Sequence, residues 1–127
     1  MSNAEMSLLL VEDEALLHEI LIEGLGDAGF QVILKNNGAA AQAELDADAS
    51  RFRAVITDIQ LGDGLSGWEI GRRARELVPD IPVIYMSGDS AIDWGARGVP
   101  GSVMIKKPFV IAQMVTALAN LLNQGGS

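Results

Sequence analysis

Four short apolar runs along the chain each stop at polar residues of a particular kind. Leu8-Leu9-Leu10-Val11 meets Glu12-Asp13, and Ala54-Val55-Ile56-Thr57 meets Asp58. Pro82-Val83-Ile84-Tyr85-Met86 meets Ser87-Gly88, and Val103-Met104-Ile105 meets Lys106-Lys107-Pro108. Runs that are apolar at successive positions fit strands covered on both faces, as in a parallel sheet. A fifth run, Phe30-Gln31-Val32-Ile33-Leu34, reads as the second strand in chain order.

Between these runs the apolar spacing lengthens to three and four residues, the period of a helix buried on one side. Leu17, Ile20, Leu21 and Leu25 mark a first helix that Gly29 closes. Asn37-Gly38 opens an alanine-rich second helix to about Ala47. Ser66 with Glu69 three residues later is a capping-box pattern; the third helix that follows has Ile70, Ala74, Leu77 and Val78 as its apolar face and ends at Pro79. A short or irregular fourth helix, broken by glycines, is predicted from about Ser90 to Arg97. The last helix carries Ile111, Met114, Val115, Leu118 and Leu122 on one stripe. Strands alternating with single helices predict right-handed crossovers and a doubly wound parallel α/β sheet of five strands. The boundaries expected are one domain over residues 7–123, with 1–6 and 124–127 as loose ends.

Size and charge narrow the chemistry. A chain of 127 residues suits one domain with a core of its own. No apolar run approaches the roughly 18 residues of a membrane span, so no membrane partner is expected. The absence of cysteine rules out disulfides and thiol chemistry and suits a cytoplasmic location. A net charge of −8 argues against nucleic acid, whose binding relies on Lys and Arg neutralising phosphates. The one basic cluster, Arg72-Arg73-Ala74-Arg75, reads as a solvated helix face or a docking surface.

In parallel sheets ligands bind beyond the carboxyl ends of the strands. There Glu12, Asp13 and Asp58 would bring three carboxylates together. Two like charges about 4 Å apart repel by roughly 4 kcal/mol at an effective dielectric near 20, so the cluster requires a cation or a proton. Mg²⁺, a hard ion held by carboxylates, waters and phosphate oxygens, suits such a site. Lys107 adds an ammonium, Ser87 a hydroxyl, and Gly88 permits close approach of the backbone. A carboxylate nucleophile, a metal, an ammonium and a hydroxyl are the parts needed to accept a phosphoryl group. Asp58, ahead of the glycine-rich loop Leu61-Gly62-Asp63-Gly64-Leu65, is the best candidate nucleophile. The bland alternatives are a strand-end turn former for Asp58, a helix N-terminus favouring acids for Glu12-Asp13, and an ordinary turn for Ser87-Gly88.

Taken together and in this order, positions 12, 13, 58, 87 and 107 resemble the receiver domain of bacterial two-component response regulators, the CheY-like family. The resemblance covers about Ser7 to Leu122. It implies a flavodoxin-like sheet of order 2-1-3-4-5. It also implies that Asp58 takes phosphate from a sensor histidine kinase or a histidine phosphotransfer protein, without the chain being an enzyme in the turnover sense. Asp13, Asp58 and the backbone carbonyl of Gln60 would bind Mg²⁺, with Glu12 acting through water. Ser87, Gly88 and Lys107 would contact the phosphoryl group, and the Lys107-Pro108 bond is expected to be cis. The signal would leave through the fourth helix, fifth strand and fifth helix to a downstream protein, from a monomer or weak dimer.

Two departures stand out. Met104 occupies the position where the family often has an aromatic switch residue, and the stretch after Trp94 is interrupted by Gly and Pro. Trp94 is the better of the two tryptophans for a partner contact. His18, the single histidine, reads as a helix-surface residue with no phosphotransfer role. Two other functions are carried. A small Mg²⁺-dependent phosphohydrolase would want an acid two positions after the nucleophile, where Gln60 stands. A degenerate, docking-only receiver would not need the full acidic set.

Overall fold

A computed structural model describes residues 6–62, 64–88 and 93–126. Five strands alternate with helices: β1 (Ser7–Val11), α1 (Ala15–Asp27), β2 (Val32–Lys35), α2 (Gly38–Asp48), β3 (Phe52–Asp58), α3 (Gly67–Leu77), β4 (Val83–Ser87), α4 (Trp94–Arg97), β5 (Val103–Lys106) and α5 (Ile111–Gly126). All strand pairs are parallel, in the order β2-β1-β3-β4-β5. This is the flavodoxin-like α/β arrangement.

Every residue of β1 and β4 is buried, because helices cover both faces of the inner sheet. Alternate positions supply two cores. Leu9, Val11, Val55, Val83 and Tyr85 pack with α2 and α3. Leu8, Leu10, Ala54, Ile56, Ile84 and Met86 pack with Leu21 and Leu25 of α1 and Met114 and Leu118 of α5. The edge strands β2 and β5 are only half covered, so the continuous-run pattern is least informative there.

Strand two begins later than Phe30. Phe30 N–H donates to Leu25 O (3.0 Å), and Gly29 N–H, at φ 98°, donates to Gly26 O (2.9 Å). These two bonds form a Schellman cap that uses Phe30 to end α1, leaving Val32 to start the strand. Strand three begins at Phe52 after a 3-10 turn over Ala49–Arg51. Strand four begins at Val83, since Pro82 has no N–H for the ladder and contributes only its carbonyl, to Val55 N (3.0 Å).

Asn37 caps α2 by accepting from Ala40 N (2.7 Å), and the Ser66–Glu69 capping box at α3 is formed. On α3, Ile70 and Ala74 are buried, whereas Leu77 is exposed and Trp68 completes the buried face. Helix α4 is a single turn; residues 90–92, where the sequence pattern would begin it, lie outside the described residues. Helix α5 continues to Gly126, past the Gln124 at which the sequence pattern reads a loose end. Among the described residues no helix is long and apolar enough to cross a membrane.

Candidate functional site

The sheet register sets the site. Val11 lies opposite Thr57, so Glu12 and Asp58 are the next residues at the ends of adjacent central strands. Asp58 lies opposite Met86, and Ser87 opposite Lys106. Two backbone bonds hold these ends together: Ile59 N–H donates to Met86 O (3.1 Å) and Lys107 N–H to Ser87 O (2.8 Å). Gly67 lets the start of α3 close on the same edge. A Cβ there would fall 2.1 Å from Asp58 O, and Gly67 N–H donates to Ile59 O (2.8 Å).

Carboxylate oxygens of Glu12, Asp13 and Asp58 all lie within 4.8 Å of one another. The Lys107 ammonium bridges two of them, at 3.0 Å from Glu12 Oε1 and 2.9 Å from Asp58 Oδ2. It also stands 4.0 Å from the exposed Glu14. Glu12 is fully buried, Asp58 nearly so, and Asp13 is exposed, so the cluster opens to solvent on one side. The donor set is all hard oxygen and can hold a divalent cation.

Burial pushes the Glu12 carboxyl above its usual range and the Asp58 charge adds to this, against the hydrogen bonds from Lys107 and Glu14 N. Burial is also the largest influence on Lys107 and works against its charge. The hydrogen bonds and charges of Asp58 and Glu12 outweigh it, so the ammonium is held above its ordinary range. The pocket thus contains more negative charge than its one cation offsets.

Ser87 is buried at the end of β4 and Gly88 is exposed. The Lys107–Pro108 peptide is cis. Lys106 is exposed. Gln60 lies two residues beyond Asp58, on a concavity that Trp68, Asp93 and Arg97 also line. Met104 is half-buried and pairs in register with Tyr85. Within the arginine cluster, Arg72 is exposed, Arg73 pairs at the surface with Asp46 (2.8 Å) and Glu76 (2.9 Å), and Arg75 donates to Ile81 O (2.6 Å).

Two residues have roles the sequence pattern does not reveal. His18 Nε2 hydrogen-bonds the main-chain carbonyl of Glu12. A helical side chain leans toward the helix N-terminus, and His18, in the first turn of α1, therefore reaches back to the strand end. Tyr85 is fully buried, packs against Trp68 with ring centroids 4.8 Å apart and planes tilted by 53°, and its Oη accepts from Val99 N (3.1 Å). Its hydroxyl fits against Gly71, where a Cβ would stand 2.2 Å away. A tyrosine inside an apolar strand run is the only signal in the sequence.

Residues 8–119 match the response regulator receiver domain family. The chain is similar to the transcriptional regulatory protein CusR of Escherichia coli (strain K12), at 32% identity over 96% of this chain and 53% of that protein. It therefore spans about half the length of that relative. It is also similar to the response regulator receiver protein CpdR of Brucella abortus (strain 2308), at 28% identity over 91% of this chain and 95% of CpdR. Among solved structures, a response regulator receiver protein from Sinorhizobium medicae WSM419 superposes with a TM-score of 0.93 at 40% identity, covering 98% of this chain and 99% of that one.

Proposed function

The chain belongs to the response regulator receiver domain family, and on that premise we propose that Asp58 accepts a phosphoryl group from a phosphohistidine. The observation that carries this reading is the Lys107 ammonium shared between Asp58 and Glu12 inside a cluster of three carboxylates. One Asp58 oxygen attacks phosphorus, the P–N bond breaks, and its electron pair returns to the donor imidazole, which takes up a proton. Lys107 then pairs with a phosphoryl oxygen, and the Ser87 hydroxyl donates to another. The transition state spreads charge over three oxygens, so positioning and neutralisation are what this chain supplies.

Mg²⁺ is the cation proposed. Oxygens bound directly to one such ion at about 2.1 Å are no more than about 4.2 Å apart. The three carboxylates, whose oxygens lie within 4.8 Å of one another, leave room for one such ion, with Asp13 and Asp58 as the proposed direct ligands and Glu12 acting through water. With the Gln60 carbonyl these residues would hold Mg²⁺, which when bound supplies charge to offset the phosphoryl oxygens.

The donor is a sensor histidine kinase or histidine phosphotransfer protein, met in the cytoplasm. An apolar groove beside the pocket, lined by Leu16, Ile20, Lys107, Pro108 and Phe109, suits the side of a donor helix. Leu16 is 77% exposed and Ile20 53%, more than a helix burying its apolar side would leave. We assign residues 7–123 to one receiver domain, and its own catalysis to phosphorylation and dephosphorylation of Asp58. The signal would pass to a downstream protein through the face of α4, β5 and α5. Tyr85, two residues before Ser87 on β4, ties that strand to the loop between α4 and β5 at Val99. Met104 beside it stands at the atypical switch position, where its flexible thioether can take inward and outward rotamers.

The test is chemical. After incubation with a phosphorylated histidine donor and Mg²⁺, the label should be stable to chelator, lost to hydroxylamine as an acyl phosphate is, and mapped to the peptide containing Asp58. A hydroxylamine-stable label, or one on another peptide, contradicts the reading.

A further inference from the structure

Glu12 is held at every polar atom it has. Its N–H donates to Lys35 O (3.1 Å), Oε1 accepts from Lys107 Nζ (3.0 Å), and Oε2 accepts from Glu14 N (3.0 Å). Its carbonyl oxygen is the fourth point, and the group there is His18 Nε2. A carbonyl only accepts, so His18 is the donor and carries its proton on Nε2. That bond forms with the ring neutral or charged.

The Glu12 carbonyl and the Asp13 nitrogen belong to one planar peptide. Fixing the oxygen fixes the plane from which Asp13 hangs. Asp13 is exposed, and no ion pair restrains it among the described residues. The α1 backbone does not need the ring to start: His18 N–H already donates to Glu14 O (3.1 Å), and Glu12 Oε2 satisfies Glu14 N–H. The ring bond is therefore spent on the strand-to-helix turn rather than on the helix.

We propose that His18 is a positioning residue for the metal-binding turn. Its Nε2–H holds the Glu12–Asp13 peptide so that the Asp13 carboxylate faces the cation site. The inference rests on the reading that Asp13 binds Mg²⁺.

The test is calorimetric titration of the protein with Mg²⁺ alone, for the native chain, Asp13→Asn, His18→Phe and His18→Gln. Native protein should bind one ion and Asp13→Asn should lose it. His18→Phe, which keeps a ring but removes the donor, should weaken binding roughly five-fold, the worth of one net hydrogen bond. His18→Gln, whose amide can donate, should recover most of that loss. In phosphorylation by acetyl phosphate, His18→Phe should raise the half-saturating Mg²⁺ concentration and leave the rate at saturating Mg²⁺ unchanged. His18→Leu gives the same comparison should the larger ring disturb the helix. Native Mg²⁺ affinity in both donor-free variants would overturn the inference, as would a loss not recovered in His18→Gln. Absence of Mg²⁺ binding by the native chain would instead overturn the metal reading beneath it.

Discussion

The acidic pocket at the carboxyl ends of β1 and β3 and the segment from Trp94 to Ser102, which leads into β5, are held by different forces. In the pocket, buried carboxylates repel one another and share one ammonium. In the segment the links are neutral: Val99 N–H to Tyr85 Oη (3.1 Å), Ser102 Oγ–H to Val99 O (2.6 Å) and Trp94 Nε1–H to Ser102 Oγ (2.9 Å). The pocket is poised to respond to an added cation or anion. These three bonds of the segment are neutral and depend on single hydroxyls.

Removing the cation of the pocket should have the largest effect. Breaking a buried pair costs about 3–5 kcal/mol; Lys107 keeps a side-chain exposure of 20%, so Lys107→Met should lower urea stability by about 2 kcal/mol. Millimolar Mg²⁺ should restore part of that loss, because it replaces the missing charge. Tyr85→Phe comes next. It leaves the Val99 N–H buried without its acceptor and should cost about 1–2 kcal/mol relative to the native chain, the same gap with Mg²⁺ as without it. If Mg²⁺ narrowed the gap to the native chain for Tyr85→Phe as much as for Lys107→Met, the two regions would not be physically distinct.

A pH series sharpens the same contrast. Burial holds the Tyr85 phenol above its ordinary 10.0, so its contribution to stability is fully present below pH 10.0 and lost as pH rises through the raised folded value. Tyr85 is the one tyrosine in the chain, so tyrosinate absorbance reports it alone. The absorbance should rise only above pH 10.0, together with unfolding. Glu12 acts at the other end of the scale. Its raised folded value gives stability that is present below pH 4.5 and lost as pH climbs through that value, and Mg²⁺ should reduce the loss. The smallest effect is expected from Trp94→Phe. The indole is 37% exposed and its bond to Ser102 is only part-buried, so about 0.5 kcal/mol is the expected cost by thermal melting.

The same contrast explains what the sequence reveals. The inner strands are legible because residues such as Leu8 through Val11 are covered on both sides and leave no polar gap. The pocket is legible because its charges end those runs, where buried acids otherwise have no reason to be. Phe30 misleads because a helix cap, a local backbone event, takes it from the strand it resembles. His18 and Tyr85 are illegible for a different reason. Each bonds a main-chain atom that tertiary structure brings to it, Glu12 O or Val99 N, and main-chain acceptors and donors are the same at every position. The segment around α4 has Gly and Pro in place of an apolar period, so its form is set by Tyr85 and Trp94 rather than by a pattern.

The central claim is that Asp58 is the phosphoacceptor, and intact mass measurement after incubation with acetyl phosphate and Mg²⁺ addresses it most directly. The native chain should gain the mass of one phosphoryl group, and Asp58→Asn should gain none. Equal labelling of both chains, or none in the native chain at saturating Mg²⁺, would contradict the account.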